Sequence, residues 1–259
     1  MFVLHGTPGS RLGPHPRSSV LHRLGVRLIS FDRPGYGESD RMEGRKVADV
    51  AADVLAISDD LGLETFSVVG RSGGGPHALA CAALLPERVT RAAVLVGLAP
   101  RGADGLDWYD GMAQSNVLEY TAATNGYEGF AAHTSATAEA IRADPASLIA
   151  SLHSELPDPD RRVVADRGIR SKLLETYAEA LRTSASGWID DVLAFCSPWG
   201  FDPAAVGIPV LLWHGASDVF SPASHARWLA AKIPSAAVVV QAGAAHFGAI
   251  DVLPDILRW

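Results

Sequence analysis

The chain has 259 residues, 48% apolar and 20% charged, enough to bury a large core as one domain or as a domain carrying an insertion. Its net charge of −7, from 22 basic and 29 acidic residues, argues against nucleic acid or an anionic membrane as the main partner. Two cysteines, Cys81 and Cys196, cannot make a disulfide framework, no apolar run spans a membrane, and Met1–Leu4 is too short for a signal peptide, so a soluble, cytoplasmic protein is expected.

Short apolar runs alternate with helix-forming segments along the chain. Strands are predicted at Met1–His5, Val26–Asp32, Thr65–Gly70 and Arg91–Gly97, with helices at Pro16–Leu24, Val47–Leu61 and Pro76–Leu85 between them. After residue 206 the pattern resumes with strand Ile208–His214, helix Ser224–Lys232 and strand Ala236–Gln241. Continuous rather than alternating apolar runs belong to parallel strands covered on both faces. The fold class is therefore α/β, a mostly parallel sheet with helices on both faces.

The alternation breaks between Arg101 and Val206, a helix-prone stretch with 16 acidic and 8 basic residues that accounts for all the net negative charge. Residues 1–100 and 207–259 are read as the core and 101–206 as a helical cap or lid, because long insertions near a site commonly cover it. An ordinary helical subdomain without a gating role is the plainer alternative. The chain starts directly in a strand and stops at Leu257-Arg258-Trp259 within a helix-like run, so sequence is expected to be missing at both termini.

Gly70-Arg71-Ser72-Gly73-Gly74 lies between the apolar run Phe66–Val69 and the helix-forming run from Pro76. A sharp strand-to-helix turn would lift the Ser72 hydroxyl above the sheet as a nucleophile. By itself the pattern is weak: with 25 glycines, about one chain in five of this composition would contain it by chance. A serine nucleophile needs a histidine base and an orienting carboxylate, which in this setting follow it in the order acid, then histidine. Asp218 follows one predicted strand and His246 the next, both at the sheet edge that carries Ser72. Of the nine histidines only His225 also follows Asp218, and it lies in a helix, so His246 is the base by elimination. A turn role for Asp218 and an idle loop histidine at 246 are the simpler alternatives. His77, close to Ser72, is read as a packing residue.

Acyl transfer also requires hydrogen-bond donors for the developing oxyanion. Gly73 N–H is one candidate, and Thr7 N–H, in the loop His5-Gly6-Thr7-Pro8-Gly9 after the first strand, is the other. His5 is expected to shape this loop, and Thr7-Pro8 is a candidate cis bond. A plain Gly/Pro turn fits the same composition.

In order, His5–Gly9, Asp32-Arg33-Pro34-Gly35-Tyr36-Gly37-Glu38-Ser39, the Ser72 turn, Gly215–Asp218 and His246 resemble the α/β-hydrolase superfamily over nearly the whole chain. The resemblance implies a serine hydrolase for a carboxylic ester, lactone or thioester, with no metal or organic cofactor and a structural role for the 32–39 loop. Family members usually carry two further strands before the His-Gly loop. This sequence lacks them, which would leave Val26–Asp32 as an exposed apolar edge strand. The His-Gly-x-Pro start is similar to that of epoxide hydrolases and haloalkane dehalogenases, but those have aspartate where this chain has Ser72.

Four other readings remain. A proline-iminopeptidase-like enzyme would use Asp104, Asp107, Asp110, Glu119 and Glu128 toward a substrate amine. Carbon–carbon bond hydrolysis and cofactor-free haloperoxidase chemistry share the same triad. A non-catalytic ligand-binding member of the fold is the fourth. Trp108, Trp188, Trp199 and Phe247 are expected as apolar substrate-binding residues, with Phe201, His133 and His153 as further candidates; subdomain core is the equal alternative for the aromatics and the plain surface for the two histidines. The expected partner is a small-molecule acyl substrate, with a homodimer as an option and neither nucleic acid nor membrane.

Overall fold

Five short parallel strands, adjacent in the order in which the chain forms them, build the sheet: β1 (Phe2–Leu4), β2 (Phe66–Arg71), β3 (Val89–Leu95), β4 (Val210–Gly215) and β5 (Ala236–Gln241). The structure is a computed structural model that describes residues 1–259. Side chains alternate between the two faces. Val68, Ala92 and Leu212 join the larger core, whereas Val69, Ala93 and Trp213 join a smaller one. The larger core is covered by α2 (Val50–Asp60), α3 (Gly74–Leu84) and α10 (Ala223–Lys232). The smaller is covered by α1 (Ser18–Leu24) and α11 (Gly248–Ile256). Helices thus lie on both faces, as the continuous apolar runs imply.

Val26–Asp32 is corrected. It forms no strand and makes only an isolated bridge from Ile29 to Phe2, with Val3 N donating to Ile29 O and Ile29 N to Met1 O. Local polar contacts divert it: the Asp32 carboxylate accepts from Arg11, and Arg33 N donates to His5 Nε2 at 3.1 Å. At the other edge β5 keeps its predicted bounds but is largely exposed, with Val238 and Val239 open to solvent.

Between β3 and β4 the chain folds into six consecutive helices: α4 (Gln114–Asn125), α5 (Tyr127–Ala143), α6 (Ala146–Ser151), α7 (Asp158–Ala165), α8 (Arg167–Ala180) and α9 (Ser186–Cys196). Their apolar faces join the larger core through Phe130, Leu173, Trp188 and Phe195. No helix in the structure is long and apolar enough to cross a membrane.

The insertion is tied to the sheet by Asp191 of α9, which is fully buried. Its carboxylate meets Arg33 Nη2 at 2.5 Å and Arg45 Nη2 at 2.7 Å, and accepts from Tyr36 Oη at 2.8 Å and Thr7 Oγ1 at 2.5 Å. Burial opposes the charge, but the two guanidiniums hold the carboxyl well below its ordinary range. Arg33 also donates to the carbonyls of His5 and Gly6. The loop after β1 is thereby caged from the outside. Asp191→Ala would leave two buried guanidiniums without their carboxylate. The expected loss is about 3–5 kcal/mol of unfolding free energy, read as a fall in the denaturant midpoint. A loss below about 1 kcal/mol would count against the role.

Candidate active site

Ser72 occupies the turn between β2 and α3 with a left-handed φ of 53°, unusual for a residue other than glycine. The turn is tight enough to dictate its neighbours. A Cβ on Gly74 would collide with the carbonyls of Leu4 and His5, and one on Gly73 would lie 2.8 Å from Thr7 Cβ. Close approach brings the turn against the loop after β1.

His246 follows β5 and Asp218 follows β4, so both arrive at the C-terminal edge where Ser72 stands. His246 Nε2 is 3.1 Å from Ser72 Oγ, and His246 Nδ1 is 2.9 Å from Asp218 Oδ2. With Nδ1–H donating to the carboxylate, Nε2 is left to accept from the serine hydroxyl. Asp218 is itself fixed: Oδ1 accepts from the amides of Phe220 at 2.9 Å and Ser221 at 3.1 Å. Burial disfavours its charge, yet His246 and His214 beside it hold the carboxyl well below its ordinary range.

Thr7 N–H and Gly73 N–H donate to no protein acceptor. Both residues line the cavity into which Ser72 opens, about 630 Å³ in volume. The Thr7–Pro8 bond is cis. His5 lies in the loop, its Nδ1–H donating to Gly6 O at 2.8 Å. His77 is fully buried, its ring donating to Gly73 O, and does not reach Ser72.

The expected pocket aromatics divide. Trp188 and Phe247 line the cavity, as does His133, but Trp108 and Trp199 do not and are corrected. Trp108 is buried among Tyr120 and His225, and its Nε1–H donates to Ala99 O at 2.9 Å. Trp199 packs with Phe201 elsewhere in the core. Phe201 and His153 also lie off the cavity wall. Of the five acids proposed to meet an amine, Asp104, Asp107, Asp110 and Glu128 are exposed, and only Glu119 faces the cavity. Burial pushes the Glu119 carboxyl up to about 7, against the pull of Trp188 beside it. No group of three or more His, Cys, Asp or Glu side chains is placed to hold a metal ion.

Sequence reasoning missed Asp160. This residue of α7 is fully buried; its Oδ1 accepts from Phe247 N at 2.7 Å and its Oδ2 from His246 N at 3.2 Å. An insertion helix therefore grips the backbone of the histidine loop. The available signal was slight, an acid four residues before the buried Val164 on one helix face. Ser221 was missed as well: its hydroxyl donates to Val96 O at 2.6 Å and stands 3.3 Å from Asp218 Oδ2.

A profile of the alpha/beta hydrolase fold family matches residues 1–251, and the chain belongs to that family. It is similar, at 29% identity over 230 residues (88% of this chain, 54% of the relative), to the dihydrolipoyllysine-residue acetyltransferase component of the acetoin cleaving system of Cupriavidus necator. The chain spans 54% of the length of this relative and 60% of that of its Pseudomonas putida counterpart. Among solved structures, a thermophilic esterase from Thermogutta terrifontis aligns at 20% identity with a TM-score of 0.65, covering 99% of this chain and 86% of that one. The enol-lactonase of Burkholderia xenovorans LB400 aligns at 21% identity with a TM-score of 0.63, covering 99% and 88%.

Burial, only partly opposed by the positive side of His246 and the two amides, pushes the Asp160 carboxyl up to about 6. Folding therefore tightens its hold on a proton. The resulting stability is complete below the unfolded value of about 3.9 and is lost as pH rises through about 6. Asp160→Asn cannot titrate, so its melting temperature relative to wild type is expected to rise between pH 4 and pH 7. A difference that stays constant over that range would contradict the assignment.

Proposed function

We propose that the chain is a serine hydrolase that cleaves a carboxylic ester, lactone or thioester through an acyl-enzyme. The observation that carries this reading is the line Ser72 Oγ, His246 Nε2, His246 Nδ1, Asp218 Oδ2, opening on a cavity beside two unengaged amides. His246 Nε2 takes the hydroxyl proton as Ser72 Oγ bonds to the acyl carbon. The carbonyl electron pair moves onto oxygen, where Thr7 N–H and Gly73 N–H receive it; the positive end of α3 adds to this stabilisation. The imidazolium, balanced by Asp218, returns the proton to the leaving oxygen or sulfur as its bond to carbon breaks. Water then gives a proton to His246, attacks the acyl-enzyme and releases the acid, restoring Ser72.

The similarity to an esterase and an enol-lactonase of the same fold supports this choice of bond. The exposed positions of four of the five candidate acids weigh against an aminopeptidase. In this reading the helical insertion covers the acyl site, since α4, α5, α6 and α9 supply cavity walls through Leu118, Phe130, Leu148 and Trp188.

Ser72→Ala is expected to lower kcat/KM on a short 4-nitrophenyl ester by about a thousandfold or more, and to abolish labelling by a fluorophosphonate probe. Near-wild-type hydrolysis by the variant would refute the proposal.

A further inference from the structure

Arg71 stands beside the nucleophile and has no counter-ion. Arg33 and Arg45 are neutralised by Asp191, Arg41 by Asp190, and Arg11 by Asp32 and Glu179, while Arg101 stacks over the Trp108 and Tyr109 rings. Arg71 forms no ion pair and donates no hydrogen bond to the protein, although its side chain lines the cavity. The residue is half-buried at the cavity wall, and this partial burial works against its charge.

Its position relative to Ser72 follows from Gly6. A Cβ built there would lie 3.4 Å from Ser72 Cβ and 3.6 Å from Arg71 Nη2, so nucleophile and guanidinium flank the same point of the loop after β1. The ionisable neighbour of Arg71 in the cavity is Tyr177 of α8, whose ring is buried and whose hydroxyl makes no hydrogen bond to the protein. Glu119, the carboxyl on the cavity wall, is set against Trp188 instead. A fixed cation and an unengaged phenol thus share one cavity with the nucleophile, among apolar walls from Leu118, Phe130, Leu148 and Phe195.

We propose that Arg71 and Tyr177 form an anion-binding subsite, and that the substrate of the Ser72 centre carries a carboxylate beyond its reacting carbonyl. The proposal rests on the acyl-hydrolase reading given above. One cation with one neutral donor matches a monoanion such as a carboxylate better than a phosphate dianion, which calls for more positive charge. The apolar walls would hold the hydrocarbon between the two ends. A preference for an anion cannot come from the protein's overall field, since the net charge is −7.

The test compares 4-nitrophenyl hydrogen glutarate with 4-nitrophenyl pentanoate, esters of matched length that differ in a terminal carboxylate. Calorimetric titration of Ser72→Ala, which does not consume them, is expected to show the glutarate ester bound about tenfold or more tightly. Adding Arg71→Met should reduce that ratio to about twofold or less. Tyr177→Phe, which removes one hydroxyl, should lower it severalfold should the arginine variant fail to fold. Equal binding of the two esters by Ser72→Ala, or a preference that survives Arg71→Met, would overturn the proposal.

Wild-type turnover separates the two readings. Cleavage of both esters with equal kcat/KM would remove the anion subsite and leave the hydrolase standing. A binding preference without cleavage of either ester would do the reverse.

Discussion

A carboxylate with no access to water is stable only where cations and hydrogen-bond donors replace its hydration, and Asp191 obtains them from three separate segments. Arg33 and Tyr36 come from the loop after the short bridge to β1, Arg45 from the approach to α2, and Thr7 from the loop after β1. Several kcal/mol of desolvation penalty per ion make any partial version of this cluster unfavourable. The segments therefore assemble together or not at all. In doing so they fix Thr7 against Gly73, which decides where two backbone amides can point.

The rest of the candidate site follows from that frame. Strand order carries Ser72, Asp218 and His246 to one edge of the sheet, as parallel topology requires. Fine placement then comes from polar atoms that take no part in the line of three: the amides of Phe220 and Ser221 for Asp218, and Asp160 for the histidine loop. Rigid support of this kind holds Ser72 and His246 at hydrogen-bonding distance.

Much of this was legible in the residues, for a physical reason. Strands buried on both faces must be continuously apolar, so β2 could be read to within one residue, whereas β5, largely exposed, was legible to its exact bounds from its run of β-branched valines. The line of three was legible because turn chemistry and strand order are local signals that combine. What stayed hidden depends on contacts between distant parts of the chain. Asp160 and His246 are 86 positions apart, and no pattern near either announces the other. Trp108 and Trp199 failed as pocket residues because an aromatic ring fills a core and lines a cavity equally well. Val26–Asp32 has the composition of a strand, but Asp32 and Arg33 draw it toward Arg11 and His5 before a ladder can extend.

The grip of Asp160 on the His246 loop bears on how such a molecule can diverge. An insertion that merely rested on the sheet could be exchanged for another, with substrate choice moving as a separable module. Here a helix of the insertion supplies the acceptors for two main-chain amides of the His246 loop, so a transplanted insertion would need an equivalent acceptor at the same point. Helices α4 and α5, which supply Leu118 and Phe130 to the cavity wall, carry no such obligation to His246. Substitution at the exposed cavity-wall position Leu118 would leave that grip untouched, while α7 is held to its present geometry.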